Sequence, residues 1–262
     1  MTNVIILAAG LGSRLSPLTD DKPKSLITFG KETLLERNIN MFKKNGINDI
    51  SIITGYKKNK INFPKINYFK NKNYTNNSTL ESLFYAKEKI LDSTIITYSD
   101  IIFEEEVLKK LLKTKNDISV VVDKKWKKYW SLRIGESISE ATETAEFDDQ
   151  NLIKSIGMKN PDANGHFIGL MKLENEGSKK FKELFLKIKN DVKDGKNDLN
   201  ENLLFEKLRI VDLLSGLIKK NIQVNSILID NGWLEFDTIN DYELYSNMLN
   251  ENTISELIKL NY

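Results

Sequence analysis

A glycine-rich segment near the N-terminus carries the residues best suited to phosphate chemistry. Residues 8–15 read Ala-Ala-Gly-Leu-Gly-Ser-Arg-Leu, and a Lys-Pro-Lys triplet that ends at Lys24 follows. Backbone N–H groups of such a turn form a concave anion site, and Gly10 and Gly12 let a phosphate approach closely. The planar guanidinium of Arg14 can bind several oxygens, whereas Lys24 supplies a point charge. The segment therefore predicts a polyphosphate site.

Glycine-rich segments of this kind also occur in dinucleotide-binding folds, in P-loops and in plain tight turns. A dinucleotide-binding fold requires a third glycine for close helix packing, and that position is Leu15. A P-loop requires Gly-Lys followed by Ser or Thr, which is also missing here. A plain tight turn with Arg14 as a surface cation is the simplest alternative.

Two acidic positions lie far from this turn in the chain. Asp100 follows an apolar stretch, Ser93 to Tyr98, at the place where parallel sheets bind ligands, although it could also cap the next turn. Residues 233–238 read Trp-Leu-Glu-Phe-Asp-Thr, and strand alternation puts Glu235 and Asp237 on one face. These carboxylates are the second set of candidate functional residues.

The elements that must position these residues follow from hydrophobic periodicity. Strands alternate with helices through the first part of the chain, which favours crossover connections and a mainly parallel sheet. The fold class is therefore α/β, a Rossmann-like mixed, mainly parallel sheet flanked by helices, with a small β-rich insertion. The expected strands are 3–9, 49–54, 67–70, 93–98, 118–123, 131–135, 143–147, 152–158, 165–173, 223–229 and 233–237. The expected helices are 32–45, 79–91, 104–115, 178–190, 203–221 and 240–249.

Length and composition limit the class of protein. The 262 residues are expected to form a single domain, with residues 1–123 binding nucleotide and residues 124–262 binding substrate and supplying a second metal ligand. The formal net charge of +2 gives no reason to expect nucleic-acid binding. No cysteine is present, and the N-terminal apolar stretch is too short to span a membrane. We expect a cytoplasmic protein and leave its oligomeric state open, a homodimer included.

The motif A-A-G-x-G-S-R-L followed by Pro23-Lys24 resembles the signature of nucleotidylyltransferases, which condense a nucleoside triphosphate with a phosphorylated small molecule. The resemblance implies that Arg14 lies against the triphosphate and that Lys24 reaches the α-phosphate and the incoming phosphate; these are the predicted catalytic residues. Fixed cations offset the repulsion of two anions and stabilise charge on the α-phosphoryl oxygens. Lys22 could assist or could be a surface residue.

The same resemblance implies a metal site and a nucleotide site. Asp100 and Asp237 match the family's magnesium ligands, with Glu235 as a neighbouring or water-mediated ligand, and Mg²⁺ is the expected cofactor. The pyrimidine would rest on the backbone of residues 7–9 and on the corner at Gly55. Asn77 and Ser78 precede a helix, so either could be an N-cap, while the family resemblance adds a substrate-facing role for Asn77. The nucleotide-binding prediction comprises Leu7, Ala8, Ala9, Gly10, Gly12, Ser13, Arg14, Asn77 and Ser78.

The nature of the acceptor depends on the middle of the chain. Trp126 and Trp130 could form a cage for a quaternary ammonium, or could be strand residues that pack the insertion. Arg133 would repel such a cation and would suit a carboxylate. Asp212 could bind a substrate amine or could be a surface acid at a helix N-terminus. The predicted substrate-binding residues are Lys24, Trp130, Arg133, Glu146 and Asp212.

Nearly the full length of the chain resembles small bacterial cytidylyltransferases that act on phosphocholine, 2-aminoethylphosphonate and related zwitterions, including those of capsule phosphoramidate synthesis. The implied partners are CTP and a small phosphorylated amine or amino acid, with L-glutamine phosphate giving CDP-L-glutamine as the best candidate. The alternatives are phosphocholine, 2-aminoethylphosphonate or a sugar 1-phosphate as acceptor. A nucleotide sensor without catalytic activity is an alternative of a different class.

Overall fold

A computed structural model describes residues 1–135 and 143–260 of the chain. The strands are β1 (Asn3–Ala8), β2 (Thr28–Phe29), β3 (Glu32–Thr33), β4 (Ile50–Thr54), β5 (Asn67–Lys70), β6 (Ser93–Tyr98), β7 (Ile101–Phe103), β8 (Ile118–Asp123), β9 (Thr144–Phe147), β10 (Ile153–Met158), β11 (Gly165–Glu174), β12 (Asn225–Ile229) and β13 (Trp233–Glu235). The helices are α1 (Leu34–Lys44), α2 (Thr79–Leu83), α3 (Glu105–Lys113), α4 (Trp126–Ile134), α5 (Asn175–Asp191), α6 (Ile210–Lys219) and α7 (Ile239–Asn250).

The order of the strands around β1 creates a crevice. Strand β1 pairs in parallel with β4 on one side and with β6 on the other, and β5 extends the sheet beyond β4. The chain therefore crosses from one side of β1 to the other between β4 and β6. Ligands of open α/β sheets bind at such a switch point, outside the carboxyl ends of the strands. The glycine-rich turn that follows β1 lies at this place.

The second half of the chain completes the same sheet. Strand β11 runs antiparallel to β6, β8 and β9, and β12 pairs in parallel with β8. The predicted fold class, a mixed and mainly parallel sheet flanked by helices, is confirmed. Strands from both predicted parts of the chain contribute to this sheet, while the division into those parts stays a prediction.

Two apolar layers cover the sheet, one on each face. Alternate residues of β1 enter different layers: Val4 and Ile6 pack in one, Ile5 and Leu7 in the other. All six residues of β1 are buried, which is why the strand reads as a continuous apolar run instead of an alternating one. The β1 carboxyl end and the turn after it are thus held by packing on both sides.

Three predicted elements differ from the structure. The expected helix at 79–91 is α-helical only over Thr79–Leu83 and continues as a 3₁₀ helix, Phe84–Lys89. The expected strand at 131–135 is the end of helix α4, whose Trp126 and Tyr129 are buried three residues apart on one helical face. The expected helix at 203–221 begins only at Ile210, because residues 205–207 form a short 3₁₀ turn. Within residues 1–135 and 143–260, no helix is both long and apolar enough to cross a membrane.

Candidate active site

A cavity of about 560 Å³ opens at the switch point of the sheet. It is lined by residues from the β1 turn, the start of α2, the end of β6, helix α4 and the segment after β13. The sequence-predicted residues that line it are Leu7, Ala8, Ala9, Gly10, Gly12, Arg14, Lys24, Asn77, Ser78, Asp100, Trp130, Arg133, Glu235 and Asp237. The fold therefore brings the N-terminal motif and all three predicted metal ligands to one cleft.

Lys24 is the point where the two remote aspartates meet. Its Nζ lies 2.6 Å from Oδ2 of Asp100 and 3.1 Å from Oδ1 of Asp237. Burial opposes the charged form of Lys24, but the two aspartates outweigh it and raise the lysine pKa. The guanidinium of Arg14 also contacts Asp237 Oδ1, at 2.6 Å. Two cations and two carboxylates thus share one small volume.

A two-stranded antiparallel ribbon explains how the aspartates meet. Strand β7, directly after Asp100, pairs with β13, so that Glu235 lies opposite Ile101. The Phe236 N–H donates to the Asp100 carbonyl at 2.9 Å, which fixes the next residue, Asp237, beside Asp100. Burial acts to raise the pKa of Asp237, yet Lys24 and Arg14 hold it below its usual value. Asp237 is therefore ionised at neutral pH.

Close packing of the glycine-rich turn positions Lys24. Gly12 adopts a left-handed conformation with φ of 64°, and a Cβ there would lie 2.7 Å from the Lys24 Cβ. The Thr19 hydroxyl donates to the Gly12 carbonyl at 2.9 Å and closes the loop. Glycine is required at this position by both the backbone angle and the space. Ser13, the next predicted residue, is exposed and does not line the cavity.

Asn77 is held by a neighbour that the sequence did not identify. The amides of Asn71 and Asn77 exchange two hydrogen bonds, at 2.9 and 3.2 Å, and Asn71 also donates to the Ser82 hydroxyl. Asn71 is fully buried and lines the cleft. Ser78 occupies the N-cap position of α2, but its side chain makes no capping hydrogen bond.

Arg133 lines the cleft with its charge already paired. Its Nε and Nη2 donate to Asp241 at 2.8 and 3.0 Å, and Nη1 donates to Glu235 at 2.6 Å. The guanidinium carbon also lies 4.7 Å from the centre of the Trp130 ring. Glu235, expected near the metal, is thus an ion-pair partner of Arg133. One ring face of Trp130 is covered by Arg133 and cannot bind a substrate ammonium.

Two predicted substrate-binding residues lie outside the cleft. Glu146 accepts hydrogen bonds from Ser155 and Asn160. Asp212 caps α6 by accepting from the Arg209 N–H at 2.7 Å, and also accepts from Asn200. Neither carboxylate lines the cavity, so the structure does not bring them to the other predicted residues.

Three cleft residues lacked a clear sequence signal. Tyr98 ends β6, and its hydroxyl lies 3.3 Å from Oε1 of Glu143. Burial raises the pKa of Glu143 to about 8, and the negative charge of Glu235 adds to this effect. His166 is buried among tryptophan rings, and neither ring nitrogen has a hydrogen-bond partner among the described residues. Burial and the charge of Arg133 lower the His166 pKa to about 3, so the imidazole is neutral.

The carboxylates are compatible with one divalent cation that phosphate oxygens also bind. Oδ1 of Asp100 is buried and lacks a hydrogen-bond partner in the described part of the chain. Residues 1–135 and 143–260 contain no group of three or more His, Cys, Asp or Glu residues able to hold a metal. Magnesium accepts one or two carboxylates completed by phosphate and water oxygens, so a larger group is not required.

Comparison with known proteins decides the family. Residues 4–157 match the MobA-like NTP transferase domain. Over 256 residues the chain is 31% identical to the CTP:phosphoglutamine cytidylyltransferase of Campylobacter jejuni subsp. jejuni, covering 92% of this chain and 98% of that protein. The chain belongs to the MobA-like NTP transferase family.

Other proteins similar to this NTP transferase are also cytidylyltransferases. A choline-phosphate cytidylyltransferase from Streptococcus pneumoniae is 38% identical over 104 residues, covering 38% of this chain and 45% of that protein. The solved CTP:phosphocholine cytidylyltransferase of Streptococcus pneumoniae has the same fold, with a TM-score of 0.73 over 95% of this chain and 99% of that chain, at 21% identity. The family match includes Gly12, Lys24 and Asp100, whereas Asp237 lies beyond it.

Proposed function

We propose that this NTP transferase is a Mg²⁺-dependent cytidylyltransferase. It condenses CTP with a small zwitterionic phosphorylated metabolite, best represented by L-glutamine phosphate, and releases pyrophosphate. The product would then be CDP-L-glutamine, used to modify the capsule or cell surface. The observation that carries the proposal is that the ammonium of Lys24 contacts both Asp100 and Asp237 beside the glycine-rich turn.

The charges of the cleft suit the joining of two phosphates. Lys24 and Arg14 provide positive charge next to the backbone N–H groups of the turn, so they can hold the triphosphate and screen the acceptor phosphate. Their own carboxylate partners keep both cations in place before substrate binds. Such preorganised charge lowers the barrier because little rearrangement is needed during the reaction.

Asp100 and Asp237 are the residues that would hold magnesium. The unpartnered Oδ1 of Asp100 supports this assignment, since a buried carboxylate oxygen without a partner is costly. When bound, the ion supplies positive charge that offsets the negative charge of the α-phosphate oxygens and of pyrophosphate. Lys24, which contacts both aspartates, keeps their carboxylates next to each other.

The reaction needs no covalent enzyme intermediate and no general base. An oxygen of the acceptor phosphate forms a bond to the α-phosphorus of CTP, and the bond from that phosphorus to the bridging oxygen of the β-phosphate breaks. Pyrophosphate leaves with that electron pair. The acceptor phosphate is already an anion, so the protein contributes mainly positioning and charge neutralisation.

The names of the relatives support a nitrogen-containing acceptor. They specify phosphoglutamine, choline phosphate and 2-aminoethylphosphonate, and each of these compounds combines a phosphorus oxyanion with a nitrogen-containing group. The full-length similarity to the phosphoglutamine enzyme favours that acceptor over the others.

A pyrophosphate-release assay tests the proposal. Each of CTP, UTP, ATP, GTP and dTTP would be combined with L-glutamine phosphate, phosphocholine, 2-aminoethylphosphonate and glucose 1-phosphate, with and without Mg²⁺. We expect pyrophosphate only with CTP, Mg²⁺ and a zwitterionic acceptor. Turnover with UTP or dTTP and the sugar phosphate would show a sugar nucleotidyltransferase, and nucleotide binding without turnover in any mixture would show a sensor.

A further inference from the structure

Glu143 differs from the other carboxylates of the cleft because no cation on the described lining is paired with it. Each positive side chain on the described lining is already paired: Lys24 with Asp100 and Asp237, Arg14 with Asp237, and Arg133 with Glu235 and Asp241. Glu143 also lines the cavity, and the only hydrogen bond found for its carboxylate among the described residues comes from the Tyr98 hydroxyl.

Arg209, an arginine outside the lining whose charge acts on Glu143, forms an ion pair with another carboxylate. Arg209 forms an ion pair with Asp212, at 3.2 Å. Burial is the main reason that the pKa of Glu143 is raised, and the negative charges of Glu235 and Asp100 raise it further. The positive charge of Arg209 lowers this pKa but does not cancel the effect of burial. Glu143 is half-buried, and a partly desolvated carboxylate in such surroundings is costly unless a cation reaches it.

The position of Glu143 is fixed by the sheet. It directly precedes β9, and its carbonyl accepts from the Phe167 N–H of β11 at 2.9 Å. His166, which precedes Phe167 on β11 and also lines the cleft, is neutral. The described cleft therefore offers cations beside the glycine-rich turn, where phosphates would bind, and an unpaired carboxyl group on another wall.

We infer that Glu143 binds the positively charged amino group of the acceptor and so selects phosphorylated amines, an inference that rests on the proposed function of this cleft. The acceptor would contact Lys24 through its phosphate and Glu143 through its ammonium. Bringing an ammonium to Glu143 replaces a desolvated carboxyl group with an ion pair. A neutral group of the same size at that place would leave the carboxyl group desolvated and unpaired.

Matched pairs of phosphates test this role. Phosphoethanolamine is compared with propyl phosphate, and 3-aminopropyl phosphate with butyl phosphate, because each pair differs only in replacing an ammonium by a methyl group. One charge-assisted hydrogen bond is worth about 1.5–3 kcal/mol, which corresponds to roughly 10- to 150-fold in affinity. We expect the wild-type protein to prefer the amine in at least one pair by that factor, in KM and in Kd from calorimetry.

Glu143→Gln keeps the size of the side chain and removes the charge. We expect it to abolish the preference for the amine by raising the KM and Kd of the amine phosphates, while the KM and Kd of the matched alkyl phosphates change much less. Glu143→Asp, which retains the charge, is expected to keep a preference for the amine. Asp149→Asn removes an exposed carboxylate just after the same strand and serves as the control.

The outcomes separate the inference from the function on which it rests. Equal affinity of wild-type protein for amine and alkyl phosphate in both pairs, or an undiminished amine preference in Glu143→Gln, would overturn the role of Glu143. Failure of the proposed function would instead appear as no pyrophosphate release with any acceptor. In that case the calorimetric comparison still measures whether Glu143 selects the amine.

Discussion

Replacing Lys24 by methionine tests the central contact of the site. Methionine keeps an unbranched apolar stem and removes the ammonium that touches Asp100 at 2.6 Å and Asp237 at 3.1 Å. Loss of one preorganised charge beside the reacting phosphorus costs about 2.7–4 kcal/mol of transition-state stabilisation. We therefore expect kcat to fall by about 10²- to 10³-fold.

The same structure bounds the effect of this change on stability. Lys24 Nζ makes charge-assisted contacts with two partly exposed carboxylates, and Arg14 remains to neutralise Asp237. We expect the free energy of unfolding to fall by no more than about 3 kcal/mol, which an ordinary domain tolerates. Urea unfolding and pyrophosphate release at saturating CTP, acceptor and Mg²⁺ measure the two quantities separately.

Lys113→Met is the matched control, because Lys113 is exposed at the end of α3. It should leave both kcat and stability within experimental scatter of the wild type. A folded Lys24→Met protein whose kcat stays within tenfold of the wild type would refute the reasoning, since the ammonium would then not act on the transferred phosphorus.

Three further predictions follow from the geometry. Asp237→Asn should raise the Mg²⁺ concentration for half-maximal activity by at least about tenfold, and unchanged metal dependence would contradict the assigned ligand. Gly12→Ala places a Cβ 2.7 Å from Lys24 and should lower both kcat and stability, whereas Gly46→Ala, also at positive φ but with nothing within 4 Å, should cost only stability, about 1–2 kcal/mol. His166 has its pKa lowered from 6.5 to about 3 by burial, so the unfolded chain binds its proton first as the pH falls below 6.5. Between pH 7 and pH 5 the wild type should therefore lose about 2 kcal/mol of unfolding free energy that His166→Phe does not lose. Urea unfolding of both proteins at both pH values measures this difference, and an equal loss in the two proteins would disprove the prediction.

Local sequence information predicted much of the fold. Strand β1 is a short, fully apolar run because both of its faces are covered, and α1 has its hydrophobic stripe and a capping box that begins at Thr33. The predictions were wrong where residue composition favours one secondary structure and tertiary contacts stabilise another. The aromatic residues of α4 favour a strand by composition, yet Trp126 and Tyr129 are buried because helical spacing turns both toward the interior.

The site shows the same division between local and distant information. The sequence by itself determined the glycine-rich turn, the two cations beside it and the candidate carboxylates, because residue type and short spacing limit what such segments can bind. Only the tertiary structure decided that β7 and β13 pair and bring Asp237 to Asp100, that Arg133 is occupied by Glu235 and Asp241, and that Glu146 and Asp212 lie elsewhere. These outcomes depend on contacts between segments far apart in the chain, and no pattern within one segment encodes its distant partner.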